Sequence, residues 1–183
     1  MAISRWHELG PFTVFDVETT GMSAVGDRII ELAAIRVESD GCRSVFHSLV
    51  HPGCPIPGHI VNLTRIDDAM VAGAPHFARI GRDFLTFAEG TTLVAHNAGF
   101  DLSFLQESLN RSGLPLWQGK TMDTIRLLRR THAGLASYSL QNLRIAFKLA
   151  DSPGMQAHRA GADVEWTLQL LEIALSALLA QQS

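Results

Sequence analysis

The sequence predicts an α/β protein with a mixed β-sheet, and two observations support this prediction. Three segments near the amino terminus carry the β-branched and aromatic residues typical of strands. Farther along the chain, segments with the apolar period of a helix alternate with short apolar segments that fit buried strands. A run of strands followed by alternating helices and strands is the order expected of one α/β domain.

The first three predicted strands form a meander. The first begins at Phe12 and ends near Thr19 at a Thr-Thr-Gly turn, and the second covers 28–37. An Asp-Gly pair turns the chain into the third strand, 44–50. The segment 51–58 holds three prolines and two glycines, so we predict a loop there.

Helices and two short strands are predicted for the remainder of the chain. Thr64, with Asp67 three residues later, fits a helix N-cap, and we predict a short helix from Thr64 to Val71. A last long helix follows the Ser152-Pro-Gly154 break and ends near Ala180. The other predicted elements are helices at 75–89, 100–110, 124–131 and 139–149, a strand at 92–95 and a strand ending at 121–123.

Length and composition favour one globular domain over residues 1–183. The chain is 46% apolar and 18% charged, which suffices for a core of its own. No leader sequence or membrane span is recognisable, and Cys42 and Cys54 form no metal-binding pair, so we expect free thiols and a cytoplasmic location with no membrane partner. The net charge of −3 argues against a nucleic-acid binder that depends on a basic surface.

Acidic residues occur where apolar ones are expected. Asp16 and Glu18 share one face of the first strand, and Asp163 heads an apolar stripe on the last helix. The alternative for the strand pair is that its end lies in solvent. Buried carboxylates held together repel each other, so a divalent cation between them is the simplest explanation. Asp101 fits the first turn of a helix, where the dipole favours an acid, and His158 falls in the loop or first turn before Asp163.

Three segments resemble, in order, the three motifs of the DEDDh 3′-5′ exonucleases, the family that includes the proofreading epsilon subunit of bacterial DNA polymerase III. They are Phe15-Asp-Val-Glu-Thr-Thr-Gly21, His96-Asn-Ala-Gly-Phe-Asp101 and His158-Arg-Ala-Gly-Ala-Asp163. The resemblance covers a core of about 12–180 and implies a ribonuclease H-like fold, with a mixed five-stranded central sheet flanked by helices. A related subclass has Tyr four residues before the last Asp, where this chain has Arg159.

The resemblance also implies a two-metal site for Mg²⁺ or Mn²⁺. In that reading Asp16 contacts both ions, Glu18 and Asp163 complete the site of the attacking water, and Asp101 serves the second ion. His158 is then the general base, a role suited to histidine. Two bound divalent cations would reverse the sign of the net charge, so the protein would hold phosphates through ions more than through a basic surface.

The implied substrate is the 3′ end of single-stranded or frayed DNA, cleaved to nucleoside 5′-monophosphates in proofreading or repair. Thr19, Thr64 and Phe100 match the region that contacts the terminal nucleotide, although a turn residue, a helix cap and a core aromatic explain them equally well. Arg65 departs from the family pattern, which has Gly there.

The sequence leaves several alternative functions and partners open. They are an RNA 3′-end exonuclease of the same family, an endonuclease of the ribonuclease H type, and a non-catalytic module that binds strand ends or a polymerase. A DNA polymerase subunit and a second copy of the chain are also open as partners.

Overall fold

A computed structural model of the protein describes residues 5–151 and 158–181, so the predicted break at Ser152-Pro-Gly154 lies outside the described residues. A 3₁₀ helix, Trp6–Leu9, precedes the first strand. The strands are β1 (Phe12–Thr19), β2 (Ile29–Val37), β3 (Arg43–Leu49), β4 (Thr92–Ala95) and β5 (Thr121–Asp123). The helices are α1 (Gly58–Thr64), α2 (Asp68–Val71), α3 (Phe77–Ala88), α4 (Ala98–Arg111), α5 (Thr124–Thr131), α6 (Leu140–Ala146) and α7 (Ala160–Ala180).

The five strands form one mixed sheet in the order β3-β2-β1-β4-β5. β1, β2 and β3 pair antiparallel as a meander, whereas β4 and β5 continue the sheet parallel to β1. This confirms the predicted mixed five-stranded sheet. It also places β1 at the centre, so the end of β1 lies between elements on both sides.

Helices cover both faces of the sheet. On one face, Phe15 of β1 packs with Phe84 of α3 and Phe104 of α4. On the other face, Val14 packs with residues of α7 such as Val164. The residues of β1 that precede Asp16 on its own face are apolar and covered by α7, so Asp16 and Glu18 continue an apolar row.

The prediction for residues 64–71 is wrong. Thr64 does not begin a helix; it ends α1, and its hydroxyl donates to the Ile60 carbonyl oxygen at 3.0 Å. The next helix, α2, begins after Asp67, whose carboxylate accepts a hydrogen bond from the Met70 N–H. Both Thr64 and Asp67 have the side-chain chemistry of an N-cap, and the local pattern did not distinguish between them.

Arg65 stands at a turn where the family pattern has Gly. It follows α1 with a φ of 61°, and its N–H donates to the Val61 carbonyl oxygen. A left-handed conformation costs a residue with a Cβ roughly 1–2 kcal/mol, a cost that glycine does not have. The position therefore suits the glycine that the family usually has.

We expect Arg65→Gly to raise the free energy of unfolding by about 1 kcal/mol, because the relieved backbone strain exceeds the entropic cost of a glycine. Urea denaturation measures this difference. Arg82→Gly within α3 is the matched control, and it is expected to lower the free energy of unfolding by about 1 kcal/mol. A loss of stability in both variants would contradict the prediction.

The structure also bears on the predictions of free thiols and of no membrane span. Cys42 and Cys54 are free and exposed. Within the described part of the chain, no helix combines the length and apolarity needed to cross a membrane.

Candidate active site

Asp16 and Glu18 lie near the carboxyl end of β1, on the sheet face that α7 covers. Alternation along β1 puts both side chains on the face of Val14, as predicted. Both are partly buried, and each offers a carboxylate oxygen to a group completed by Asp163. In that group of three, the ligand atoms lie within 4.8 Å of one another.

Asp163 enters the site from the first turn of α7. It is 7% exposed, and the residues that follow it on the same face, including Thr167 and Leu171, are buried. The predicted apolar stripe is therefore confirmed. Among the described residues, the Asp163 Oδ1 atom is buried with no hydrogen-bond partner. A buried carboxylate oxygen without a partner is unfavourable unless a cation or water completes it.

Asp101 reaches the end of β1 from α4, the helix that packs on the opposite face of the sheet. β4 leads into α4 through Asn97, which adopts a left-handed conformation with φ of 66° that asparagine tolerates. Asp101 is 3% exposed in the first turn of α4, and its Oδ1 accepts the Val17 N–H at 3.2 Å. Asp101 lies outside the tight group of three, but its charge contributes to the raised pKa of Asp16.

The four acids are surrounded by too little positive charge to remain ionised easily. Burial, followed by the charges of Asp101 and Asp163, raises the pKa of Asp16 well above its ordinary value. Burial and the neighbouring acids raise the pKa of Glu18 to about 8. Burial raises the pKa of Asp101 to about 8 despite the Val17 hydrogen bond, and that of Asp163 to about 7 despite the His158 N–H. A bound divalent cation would offset this concentration of negative charge.

His158 lies in the turn directly before α7, as predicted. It has a φ of 59°, its side chain is exposed, and its backbone N–H lowers the pKa of Asp163. The exposed imidazole thus belongs to a residue five positions before the buried acid, and it is open to solvent.

The side chains of the candidate substrate residues are engaged in different contacts within the protein. The Thr19 hydroxyl donates to the Gly21 carbonyl oxygen at 2.6 Å, and the Thr64 hydroxyl is bonded to its own turn, where it also accepts the Ile66 N–H. Both residues are buried. Phe100 is partly buried and packs against Phe104, with a ring separation of 4.9 Å.

The turn after β1 requires glycine at position 21. A Cβ on Gly21 would lie 2.5 Å from an Asp27 carboxylate oxygen, and this carboxylate also accepts the Ser23 N–H and the Thr20 hydroxyl. The close approach of Asp27 therefore shapes the turn beside Glu18 and accounts for the glycine of the first motif.

Comparison with known proteins decides the family. The sequence model of the RNase T family, described as "Exonuclease", matches residues 13–171. The chain belongs to this exonuclease family. The DNA polymerase III epsilon subunit of Treponema pallidum is 38% identical to this exonuclease over 166 residues, which are 90% of the chain and 76% of that relative.

Other relatives are much longer than this exonuclease. The PolC-type DNA polymerase III of Caldanaerobacter subterraneus subsp. tengcongensis is 37% identical over 161 residues, which are 88% of the chain but 11% of the polymerase. The exonuclease therefore spans about a ninth of its PolC-type relatives. Together, the family match and the epsilon relative show that the chain is an exonuclease-family protein.

Solved structures show the same fold. Exonuclease X in complex with 5′ overhanging duplex DNA is 29% identical to this exonuclease, with a TM-score of 0.67 over 94% of this chain and 93% of the other. Escherichia coli exonuclease I in complex with a dT13 oligonucleotide is 20% identical, with a TM-score of 0.80 over 93% of this chain and 42% of the other. The mixed sheet with flanking helices is thus the ribonuclease H-like fold.

The sequence reasoning missed one acid of this exonuclease, Glu31. It is fully buried on β2, where it pairs in register with Glu18. Arg159 donates to both carboxylate oxygens, at 2.7 and 3.1 Å, Ala160 N–H donates at 3.0 Å, and His47 Nε2 lies 2.8 Å away. Burial alone would raise the pKa of Glu31, but these contacts lower it to about 2. The available sequence signal was a lone acid inside an apolar strand.

Proposed function

We propose that this protein is a metal-dependent exonuclease that removes nucleoside 5′-monophosphates from the 3′ ends of single-stranded or frayed DNA, in proofreading or repair. The observation that carries the proposal is the group of Asp16, Glu18 and Asp163, whose carboxylate oxygens lie within 4.8 Å of one another in a largely buried site. The burial and the raised pKa values of this group support a site built to hold positive charge.

The donor set fits hard divalent cations. It consists of carboxylate oxygens, which suit Mg²⁺ or Mn²⁺ better than a thiolate-seeking metal. The Asp163 Oδ1 atom, which no described residue satisfies, offers a ligand position. When bound, two such cations would neutralise charge at the phosphorus and on the leaving 3′-oxygen and make a water more acidic.

The four acids would hold the two cations between them. Asp16, whose pKa is raised by the charges of both Asp101 and Asp163, would hold both ions, and Glu18 and Asp163 would complete the site of the attacking water. Asp101, from the first turn of α4, would serve the second ion. His158 takes the proton of the water, because its exposed imidazole precedes the helix that carries Asp163.

The terminal nucleotide lies against the turns that flank the acids. Thr19 and Thr64 contribute backbone and shape to this pocket, since their hydroxyls already bond within their own turns. Phe100, one residue before Asp101, is partly exposed and offers an aromatic surface to a base.

The relatives favour DNA as the substrate class. The epsilon subunit and PolC-type relatives are DNA polymerase III proteins, and exonuclease X is bound to DNA in its structure. We therefore place a DNA polymerase first among candidate protein partners, with a second copy of the chain as the alternative.

The test is incubation of 5′-labelled single-stranded DNA and RNA of one sequence with the protein and Mg²⁺ or Mn²⁺. We expect a ladder that shortens from the 3′ end, faster on DNA, with nucleoside 5′-monophosphates as products and no reaction in EDTA. A circular single strand should stay intact. No ladder with either metal, or equal activity after Asp16→Ala, would overturn the proposal.

A further inference from the structure

The carboxylate of Glu31 caps the amino terminus of α7 from a neighbouring strand. α7 begins at Ala160, and its N-cap residue, Arg159, makes no side-chain cap bond to the helix. Instead, Glu31 Oε2 accepts the Ala160 N–H, and the Arg159 guanidinium donates to both Glu31 oxygens. A negative charge at a helix amino terminus is favoured by the helix dipole. One buried side chain therefore ties the start of α7 to β2.

The tied segment contains two of the candidate catalytic residues. His158 directly precedes Arg159, and Asp163 lies in the first turn of α7. Glu31 stands opposite Glu18 in the register of β2 and β1. The Glu31–Arg159 pair therefore sets where His158 and Asp163 stand relative to the acids of β1.

Glu31 differs from the proposed metal ligands in its partners. Both of its oxygens accept hydrogen bonds from the protein, and Arg159 supplies the opposing charge. Asp163, in contrast, keeps a buried oxygen that no described residue satisfies. Glu31 thus has protein partners for both carboxylate oxygens, whereas the Asp163 Oδ1 atom has none among the described residues.

We propose that Glu31 and Arg159 are positioning residues: they hold the start of α7 so that His158 and Asp163 meet Asp16 and Glu18, and Glu31 itself binds no metal. This inference rests on the proposed function. The bidentate contact suits this task, because the planar guanidinium fixes direction as well as distance.

The remainder of α7 has its own anchors. Val164, Leu168 and Leu171 pack on the sheet, and Trp166 and Leu170 pack with Leu128 of α5. Loss of the Glu31–Arg159 pair should therefore displace the first turn without detaching the helix, which makes the variants testable as folded proteins.

The first experiment compares Arg159→Gln and Arg159→Lys with the unaltered enzyme on single-stranded DNA in Mg²⁺. For Arg159→Gln we expect kcat to fall about 100-fold, with KM within about threefold of the original value, as for other residues that orient a metal ligand. Arg159→Lys should recover part of kcat, since lysine keeps the charge but not the two-pronged contact. Glu107→Gln, which removes the charge of a partly exposed Arg-paired glutamate on α4, is the matched control and should leave kcat unchanged.

A double-mutant cycle then tests whether Arg159 acts through His158. If it does, adding Arg159→Gln to His158→Ala should lower kcat much less than it does alone. Hydrogen exchange of the metal-free protein gives a readout independent of activity: in Arg159→Gln the amides of residues 160–163 should exchange faster while those of 168–175 stay protected. Calorimetric titration with Mn²⁺ should give the same stoichiometry for Glu31→Gln as for the unaltered protein.

The outcomes separate this inference from the proposed function. An inactive unaltered protein would contradict the proposed function itself. An active protein whose Arg159→Gln variant keeps full kcat, or shows additive losses with His158→Ala, would overturn the positioning role. A loss of one Mn²⁺ equivalent in Glu31→Gln would show that Glu31 is a ligand instead.

Discussion

Asp16→Asn is expected to lower kcat by about 10³-fold or more while making the metal-free protein more stable at pH 8. We expect the activity to fall because Asp16 is proposed to serve both ions, and several kcal/mol of charge stabilisation would depend on them. The stability rises because the substitution removes one of several buried carboxylates that repel one another. We expect a gain of about 1 kcal/mol, or roughly 2–4 °C in Tm, measured by thermal unfolding in EDTA.

Asp83→Asn is the control for both measurements. Asp83 is exposed on α3, and its contact with Arg79 is an ordinary surface ion pair. It should change neither kcat nor Tm. The interpretation of Asp16 would be contradicted if Asp16→Asn kept more than about a tenth of the activity in Mg²⁺, since a loss below tenfold is less than about 1.4 kcal/mol.

The metal-free protein is expected to lose stability as the pH rises from about 5 to 8.5. Glu18 and Asp101, with pKa values of about 8, and Asp163, at about 7, hold protons in the folded state that the unfolded chain has released. Because the folded state binds more protons in this window, the free energy of unfolding falls with rising pH. We expect a drop of at least about 2 kcal/mol, measured by urea denaturation in EDTA.

Two further series test this assignment. Saturating Mg²⁺ should flatten the decline, since the cation binds the ionised carboxylates and stabilises the folded state. Asp16→Asn should also reduce the slope. Below about pH 4.5 the sign reverses: Glu31, with its pKa lowered to about 2, loses its contribution as the pH falls. A stability that stays constant or rises between pH 5 and 8.5 in EDTA would contradict the raised pKa values.

Local periodicity was sufficient to predict the central features of the fold and of the acidic group. Strand alternation places Asp16 and Glu18 on one face, and helical spacing places Asp163 at the head of a buried stripe. Both patterns depend on a few neighbouring residues. The assigned roles of these residues remain predictions until the variants are measured.

The missed features depend on contacts between distant segments. The proposed role of Glu31 depends on the pairing of its strand with β1 and on the contact with Arg159, which lies 128 positions later in the chain. Neither the register nor that contact is visible in a local pattern. The error at Thr64 has a local cause, since Thr64 and Asp67 can both cap a helix and the left-handed turn at Arg65 separates the end of α1 from the start of α2.

The active site is assembled from segments that are far apart along the chain. Its acids come from β1, from the start of α4 and from the start of α7, and the contact that ties α7 to β2 closes a loop of 128 residues. Closing a loop of this length costs more conformational entropy than closing a short one, so we expect this contact to form late in folding. A growing polypeptide therefore has no complete nuclease site until α7 has been synthesised and has docked, so partly made or partly folded chains should not degrade nucleic acid. Exonuclease activity can for this reason serve as a direct assay of complete folding.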